Sequence, residues 1–411
     1  MDISALSVQI CPIREGFVMI PRHIKSVVKK RFNHARSLYI FGARQVGKTT
    51  LVKGAFPDLP YISLEDPDVE ERAVRDPRGF LNQYKDSGAV LDELQRTPDV
   101  FRYLQGFIDE YKTKFVLSGS QNFLLNQQIS QSLAGRVSFL EMMPLSQREI
   151  WLLDPPEPES FITSIAENGK DLYERLWSGG YPDPALDRDV ASFWYADYER
   201  TYLERDVRLL VNVSDLVKFG QFMRMVANRA GSLLNIANLS NDIGMSENGC
   251  RKWLAILEAS GIIFKLLPYH KNYNKRLIKS PKVYFNDSGL LCYLLGLKKT
   301  EHLHNHAVIG LIFENYVVSE FRKNILNRGD IPNLFFWRDK TGTEIDLIME
   351  DGPHFSAFEI KKGETFTQDW LKNMNRWLKW SKSPKNCCHL IYGGGEPFET
   401  DGVKVVPWQA I

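Results

Sequence analysis

The sequence has few cysteines and almost no net charge. Its 411 residues hold five cysteines, Cys11, Cys250, Cys292, Cys387 and Cys388, with no C-x-x-C pair and no zinc-ligand spacing. This excludes a disulfide scaffold and a structural zinc site, and predicts reduced thiols in a cytoplasmic protein. The net charge is only +2, so any nucleic-acid contact has to use local patches. No apolar run approaches the ~20 residues of a membrane span. The first residues lack the charged-then-apolar pattern of a secretion signal, so no leader is expected. There is no long repeat and no low-complexity tract. What remains is ordinary globular usage, 44% hydrophobic and 25% charged. At this length one core is too few, and roughly two to four domains are expected.

The most informative stretch is Gly42-Ala43-Arg44-Gln45-Val46-Gly47-Lys48-Thr49-Thr50. It fits G-x-x-x-x-G-K-[S/T]. The apolar run Ser37 to Phe41 precedes it as a strand, and Leu51, Val52 and Ala55 follow at helical spacing. Strand, glycine loop and helix start together make a phosphate cradle. The glycines bring backbone N–H groups to phosphate oxygens, Lys48 reaches the β- and γ-phosphates, and the Thr49 hydroxyl ligates Mg²⁺. The expected ligands are therefore ATP and Mg²⁺.

Further on, Ala89-Val-Leu-Asp92-Glu93 is an apolar strand ending in two acids. Asp92 is expected to hold Mg²⁺ through water, and Glu93 to orient and polarise the attacking water. Lys114 to Leu117 is a later strand, tipped by Ser118-Gly-Ser120-Gln121. Ser120 and Gln121 read either as γ-phosphate sensors or as a loop or helix cap. Before the P-loop, Arg22, Lys25, Lys29, Lys30, Arg31 and Arg36 form a basic prelude. It reads either as a helix packed on the sheet or as a nucleic-acid face. Alternating strands and helices imply a parallel sheet.

These motifs, with S-L-A-G-R at Ser132 to Arg136, P-L-S-Q-R-E at Pro144 to Glu149, G-G-Y-P at Gly179 to Pro182 and Y-L-E-R-D-V at Tyr202 to Val207, resemble a family over most of the chain. It is the AAA-type P-loop ATPases of bacteria and archaea with a C-terminal domain of unknown function (AAA_14 plus DUF4143). The resemblance implies an arginine near the last core strand that answers γ-phosphate charge. By position that is Arg136, with Arg205 second; a structural salt bridge is the other reading of both.

The second half opens with helical patterns, Phe193 to Leu210 reading as one long helix. From Asp215 a winged helix-turn-helix is predicted. Phe219 to Val226 forms its first helix, Ile236 to Ile243 its second, and Ser246 caps its third; two strands end it near Phe285. Its wing carries Lys265, Lys271, Lys275, Arg276, Lys279 and Lys282 with no acid, and its third helix Arg251 and Lys252. That suits contact with the DNA phosphate backbone; a rigid protein–protein spacer is the other use.

A new α/β unit starts near Ala307. Asp346 and Glu359-Ile-Lys361 fall on neighbouring predicted strands, and alternation puts Glu359 and Lys361 on one face. Asp346 and Glu359, with Glu314 from the preceding helix, could share a divalent cation, and Lys361 could position or deprotonate a water. This order resembles the PD-(D/E)xK nuclease fold; a satisfied ion pair on a sheet face, or a site that only binds DNA, are the other readings.

The expected fold is α/β. Residues 1–145 form a P-loop domain with a parallel sheet sandwiched by helices. Residues 146–212 form a helical linker or lid, 213–298 the winged helix, and 299–411 a small restriction-endonuclease-like domain. Two functions follow. One is an ATP-hydrolysing enzyme acting on DNA through a metal-dependent nuclease-like domain. The other is a nucleotide-dependent switch or DNA-binding protein without cleavage. ATP and DNA are the expected partners, with a homo-oligomer as a further expectation and no membrane.

Overall fold

The computed structural model describes residues 19–120, 135–156, 171–208, 216–269, 280–351, 354–382 and 384–411. Gln121, Ser132 to Ala134, Leu209, Lys271, Lys275, Arg276 and Lys279 lie outside them. Among the described residues no helix is long and apolar enough to cross a membrane.

The first sheet has strands β1 (Ser37–Gly42), β2 (Tyr61–Ser63), β3 (Ala89–Asp92), β4 (Phe115–Ser120) and β5 (Val137–Glu141). Their order is β2-β3-β4-β1-β5, and every pairing is parallel. β3 and β4 are buried along their whole length and β1 nearly so, which is why they read as unbroken apolar runs. Parallel strands send all their C-terminal ends to one edge. There β1 ends in Gly42, β3 in Asp92 and β4 in Ser120, with Gly42 opposite Ser120. That edge, where open α/β sheets bind ligands, carries the first site.

The basic prelude is a helix, Ile24–His34, that buries Ile24 and Val28. Three of its cations serve the protein itself. Arg31 donates to Ser138 and to the Phe139 carbonyl, Arg36 pairs with Asp109, and Arg22 reaches the P-loop.

The expected long helix is an α-helix, Arg188–Tyr202, that runs on as a π-helical turn, Leu203–Val207. The G-G-Y-P motif is a close contact. The Gly180 N–H donates to Asp287 Oδ2 at 2.5 Å, and a Cβ on Gly179 would lie 2.2 Å from the Tyr195 hydroxyl.

Three helices follow, Leu216–Ala227, Ile236–Ile243 and Glu247–Ala259. Gly244, at φ +65°, turns the second into the third, and Ser246 Oγ caps the third by accepting from the Gly249 N–H. Strands β6 (Ile263–Pro268) and β7 (Lys282–Phe285) then form an antiparallel pair.

The remaining strands are β8 (Leu334–Arg338), β9 (Glu344–Asp351), β10 (His354–Lys361), β11 (Cys388–Tyr392), β12 (Phe398–Thr400) and β13 (Val403–Pro407). The second sheet runs β12-β13-β11-β10-β9-β8-β6-β7. β6 joins β8 in parallel, Leu267 opposite Phe335. The strand pair assigned to the winged helix therefore extends the C-terminal sheet, across the division expected at residue 298. A long helix, Ile309–Asn327, with most of its residues buried, packs on this sheet at β7 and β10.

Candidate nucleotide site and C-terminal carboxylate centre

The loop between β1 and the helix Lys48–Ala55 holds two left-handed residues, Gln45 at φ +59° and Gly47 at φ +94°. Gly42 is fixed by space: a Cβ there would lie 2.1 Å from the Met142 carbonyl oxygen. Val46 buries its side chain, and its carbonyl accepts from Arg22 at 2.7 Å. Arg22 also donates to the Met143 carbonyl and pairs with buried Glu149 at 3.0 Å. The prelude therefore braces the loop. Gln45 and Thr50 are exposed, Ala43 is buried and Arg44 half-buried. Lys48 is buried and folds back, its Nζ donating to the carbonyls of Gly42 (3.0 Å) and Ala43 (2.8 Å).

Thr49 Oγ1 donates to Asp92 Oδ2 at 2.7 Å, so the two residues expected to hold Mg²⁺ are adjacent. Asp92 is buried and accepts further bonds from the Tyr61 hydroxyl (2.6 Å), Ser118 Oγ and the Glu93 N–H. Burial, and after it the Asp92 bond, push the Tyr61 hydroxyl far above its ordinary range, so it stays a donor. Glu93 takes a left-handed φ of +56°. Its carboxylate accepts from Gln95, and more weakly from Ser120 Oγ at 3.4 Å; Gln95 Nε2 also donates to Ser120 Oγ at 2.9 Å. The structure thus brings Lys48, Thr49, Asp92, Glu93 and Ser120 to one edge. Tyr61 and Gln95 escaped the sequence reading, and Ser118 stood in the polar tip without a role of its own. Ser118 was findable, since it stands two positions before Ser120 on the same strand.

Arg136 is a correction. It lies just before β5, so it sits at the N-terminal end of a parallel strand, while the P-loop leaves the C-terminal end of β1. Six residues at ~3.3 Å each separate those ends by about 20 Å. Arg136 instead pairs with Asp109 at 2.8 Å, the structural reading of its charge. Arg205 is exposed and pairs with Glu65 at 3.4 Å.

The C-terminal centre gathers more charge than expected. Lys361 Nζ lies 3.4 Å from Asp346 Oδ2 and 3.2 Å from Glu359 Oε2, on one face as alternation requires. The Ile360 N–H also donates to Asp346 Oδ2, at 2.8 Å. The acids whose oxygens converge, all within 4.8 Å, are Glu314, Glu344 and Asp346. In that trio Glu344 stands where Glu359 was expected. Glu344 and Asp346 are two apart on β9, so the same alternation exposes the signal. Glu359 turns to Lys361 instead, and its buried Oε1 has no donor.

Lys282, the first residue of β7, is 2% exposed. Its Nζ donates to Glu314 Oε1 at 2.8 Å and pairs with Glu344 Oε1. The Tyr284 hydroxyl donates to the same Glu314 oxygen at 2.6 Å. Arg338 pairs with Glu344 at 2.8 Å. Burial pushes the Glu359 carboxyl well above the usual range, and Asp346 adds to it. Burial also raises Glu314, against the pull of Lys282. For Asp346 burial is outweighed by Lys361, Glu359 and Lys282, and its carboxyl falls below the usual range. Burial favours the protonated form of Glu359, and three further acids (Glu314, Glu344, Asp346) stand among three cations (Lys282, Lys361, Arg338). A divalent ion does not fit this arrangement as it stands, because an ammonium already sits between Glu314 and Glu344, on one oxygen of each.

The two centres share one long helix. Glu314 lies on its first half. On its second half Glu320 accepts from the Gln147 N–H (2.7 Å), and Arg322 forms a two-point pair with Glu141 (2.9 and 3.0 Å). The segment it grips, residues 141–149, also carries the Met142 and Met143 carbonyls and the Glu149 carboxylate beside the P-loop. This explains P-L-S-Q-R-E: Ser146 and Glu149 close a capping box, and Gln147 meets the helix.

Family models match three successive stretches of the chain. Residues 34–151 match the family model of the AAA domain, residues 169–301 that of a domain of unknown function (DUF8612), and residues 309–411 that of a domain of unknown function (DUF4143). The chain thus carries an AAA-type P-loop domain in its first half and a DUF4143 domain at its C-terminal end. An uncharacterized protein of Mycobacterium tuberculosis is 29% identical over 347 residues, covering 82% of this chain and 73% of its own. One from Methanocaldococcus jannaschii is 26% identical over 386 residues, covering 88% and 82%. Among solved structures, a Walker-type ATPase of Pyrococcus abyssi aligns at a TM-score of 0.41 and 14% identity, over 66% of this chain and 94% of that one.

Proposed function

We propose that this protein binds and hydrolyses ATP and uses the cycle to act on DNA, with the C-terminal domain as the part that is moved. The Thr49–Asp92 bond beside Lys48 carries the reading. Bound ATP and Mg²⁺ supply a scissile phosphoanhydride and a counter-charge for its oxygens. Lys48 leaves the Gly42 and Ala43 carbonyls for phosphate oxygens. Thr49 and Asp92 hold the metal, and the loop N–H groups hold the phosphates. Glu93 orients the attacking water, while Ser120 and Gln95 fix the Glu93 carboxylate. Any shift of the loop against Met142 and Met143 is passed by residues 141–149 to the long helix.

Contact with DNA rests on the three-helix unit, whose third helix exposes Arg251 and Lys252 beside its capped start. Phosphate contacts make such binding fall steeply with salt. The test is ATP turnover with Mg²⁺, and binding of several DNA forms between low and physiological salt. No turnover in any DNA form sinks the ATPase reading; binding that ignores salt sinks the DNA reading.

A second reading, a nucleotide-dependent switch without cleavage, is favoured by one observation. The carboxylates of the nuclease-like centre are already neutralised by Lys282, Lys361 and Arg338. DNA cleavage with Mg²⁺ or Mn²⁺ that dies in Glu359→Gln would decide for the nuclease.

A further inference from the structure

Lys282 is not part of the D…E-x-K pattern and comes from outside the C-terminal domain. It opens β7, the edge strand of the eight-stranded sheet, which follows the three-helix unit. It is 2% exposed, lies over the Phe336 ring at 5.6 Å and ends between Glu314 Oε1 and Glu344 Oε1. Both acids belong to the trio, with Asp346, in which each offers a carboxylate oxygen within 4.8 Å of the others. A hard divalent cation binds carboxylate oxygens at about 2.0–2.6 Å. It cannot share Glu314 Oε1 with an ammonium at 2.8 Å and the Tyr284 hydroxyl at 2.6 Å. Two like charges at that range in a buried site repel strongly.

We propose that Lys282 is the resident cation of the C-terminal centre and determines which cation the centre takes: its ammonium holds the place of a divalent metal and excludes it. The three-helix unit thereby supplies the counter-charge of its neighbour's carboxylates. The site opens to Mg²⁺ or Mn²⁺ only when β7 withdraws this side chain. The inference stands apart from ATP hydrolysis at the P-loop.

The test titrates nucleotide-free, full-length protein with Mn²⁺, read by calorimetry and by the paramagnetic resonance of free Mn²⁺. Wild type, Lys282→Met, Lys282→Arg, Glu314→Gln and Lys282→Met/Glu314→Gln are compared. The expected result is one Mn²⁺ bound by Lys282→Met at least about tenfold more tightly than by wild type, a gap of one decade in Kd. Lys282→Arg, which keeps the cation, stays closed, and adding Glu314→Gln to Lys282→Met removes the site. The proposal is overturned if wild type binds Mn²⁺ within about threefold of Lys282→Met and loses it in Glu314→Gln. It is also overturned if folded Lys282→Met binds no better than wild type. Should Lys282→Met fail to fold by circular dichroism, wild type and Lys282→Arg decide: Mn²⁺ bound by either through Glu314 overturns the proposal, and none bound upholds it. A wild type without ATP turnover would sink the ATPase reading and leave this result unchanged.

Discussion

Two buried lysines mark the two centres, and they are held in opposite ways. Lys48 rests on the carbonyls of Gly42 and Ala43. Lys282 rests between the carboxylates of Glu314 and Glu344. A carbonyl is a neutral acceptor that other donors can satisfy, so Lys48 can leave it for an anion at small cost. A buried carboxylate left without its cation costs far more. The acids follow the same division. Asp92 is fed by hydroxyl and N–H donors that remain when a metal arrives. Glu344 is met by full charges, Lys282 and Arg338. A centre satisfied by neutral partners waits for a ligand; one satisfied by its own ions is closed.

The largest expected effect lies at the open centre. Glu93→Gln should lower ATP turnover by about 10²–10⁴-fold, as loss of a general base does, while ATP still binds. Lys48→Ala should lose tight ATP binding itself. Turnover by stopped assay and binding by a fluorescent ATP analogue separate the two, and equal loss of affinity in both removes the role given to Glu93. The folded state should barely notice Lys48→Ala. At the closed centre the order reverses. Lys282→Met strands the buried Glu314 carboxylate and strips one cation from half-buried Glu344, and should lower stability by about 3–5 kcal/mol in urea denaturation. If the two lysine variants lose similar stability, the contrast between the centres is wrong.

Next in size is the connection between them. Arg322→Ala breaks a two-point, charge-assisted pair with Glu141, both side chains 15% exposed. A loss of about 1.5–3 kcal/mol is expected, the range for bonds to charged groups. More telling is hydrogen exchange with and without ATP. In wild type, ATP should change protection on both sides of the long helix; in Arg322→Ala the change should stop near residue 141. A change that still reaches the Glu314 turn would mean that coupling takes another route.

What could be read in advance follows the chain's own grammar. The P-loop is contiguous, so its spacing showed it whole, and an apolar strand ending in Asp92-Glu93 needed only that partner. Glu359 and Lys361 were legible by alternation. By the same rule Glu344 was legible beside Asp346, though it was not drawn. Arg136 failed on strand direction: a residue entering a parallel strand cannot lie where the P-loop leaves one. Lys282 was out of reach, because nothing local marks which lysine of a basic hairpin will be buried. Only the joining of β6 to β8, Leu267 opposite Phe335, brings it to the acids. The same pairing carries the C-terminal sheet across the division expected at residue 298.

The smallest expected effect is a pH slope, and it tests whether the closed centre balances its charge as described. Burial, and after it Asp346, raise the folded carboxyl of Glu359 well above the ordinary range, while in the unfolded chain it titrates near ~4.3. The folded state therefore holds this proton where the unfolded state has lost it. The stability Glu359 contributes is full below pH ~4.3 and is lost as pH rises through the folded value. Across that window wild type should lose about 1.4 kcal/mol per pH unit from this group alone. Glu359→Gln keeps the shape and the neutral state but has no proton to lose. The difference in unfolding free energy between wild type and Glu359→Gln, measured in urea from pH 5 upwards, should thus move in favour of the variant until the folded carboxyl ionises. A difference that stays flat would mean that Glu359 is ionised in the folded chain. The centre would then hold four negative charges against three positive ones, and a further cation would be needed to complete it.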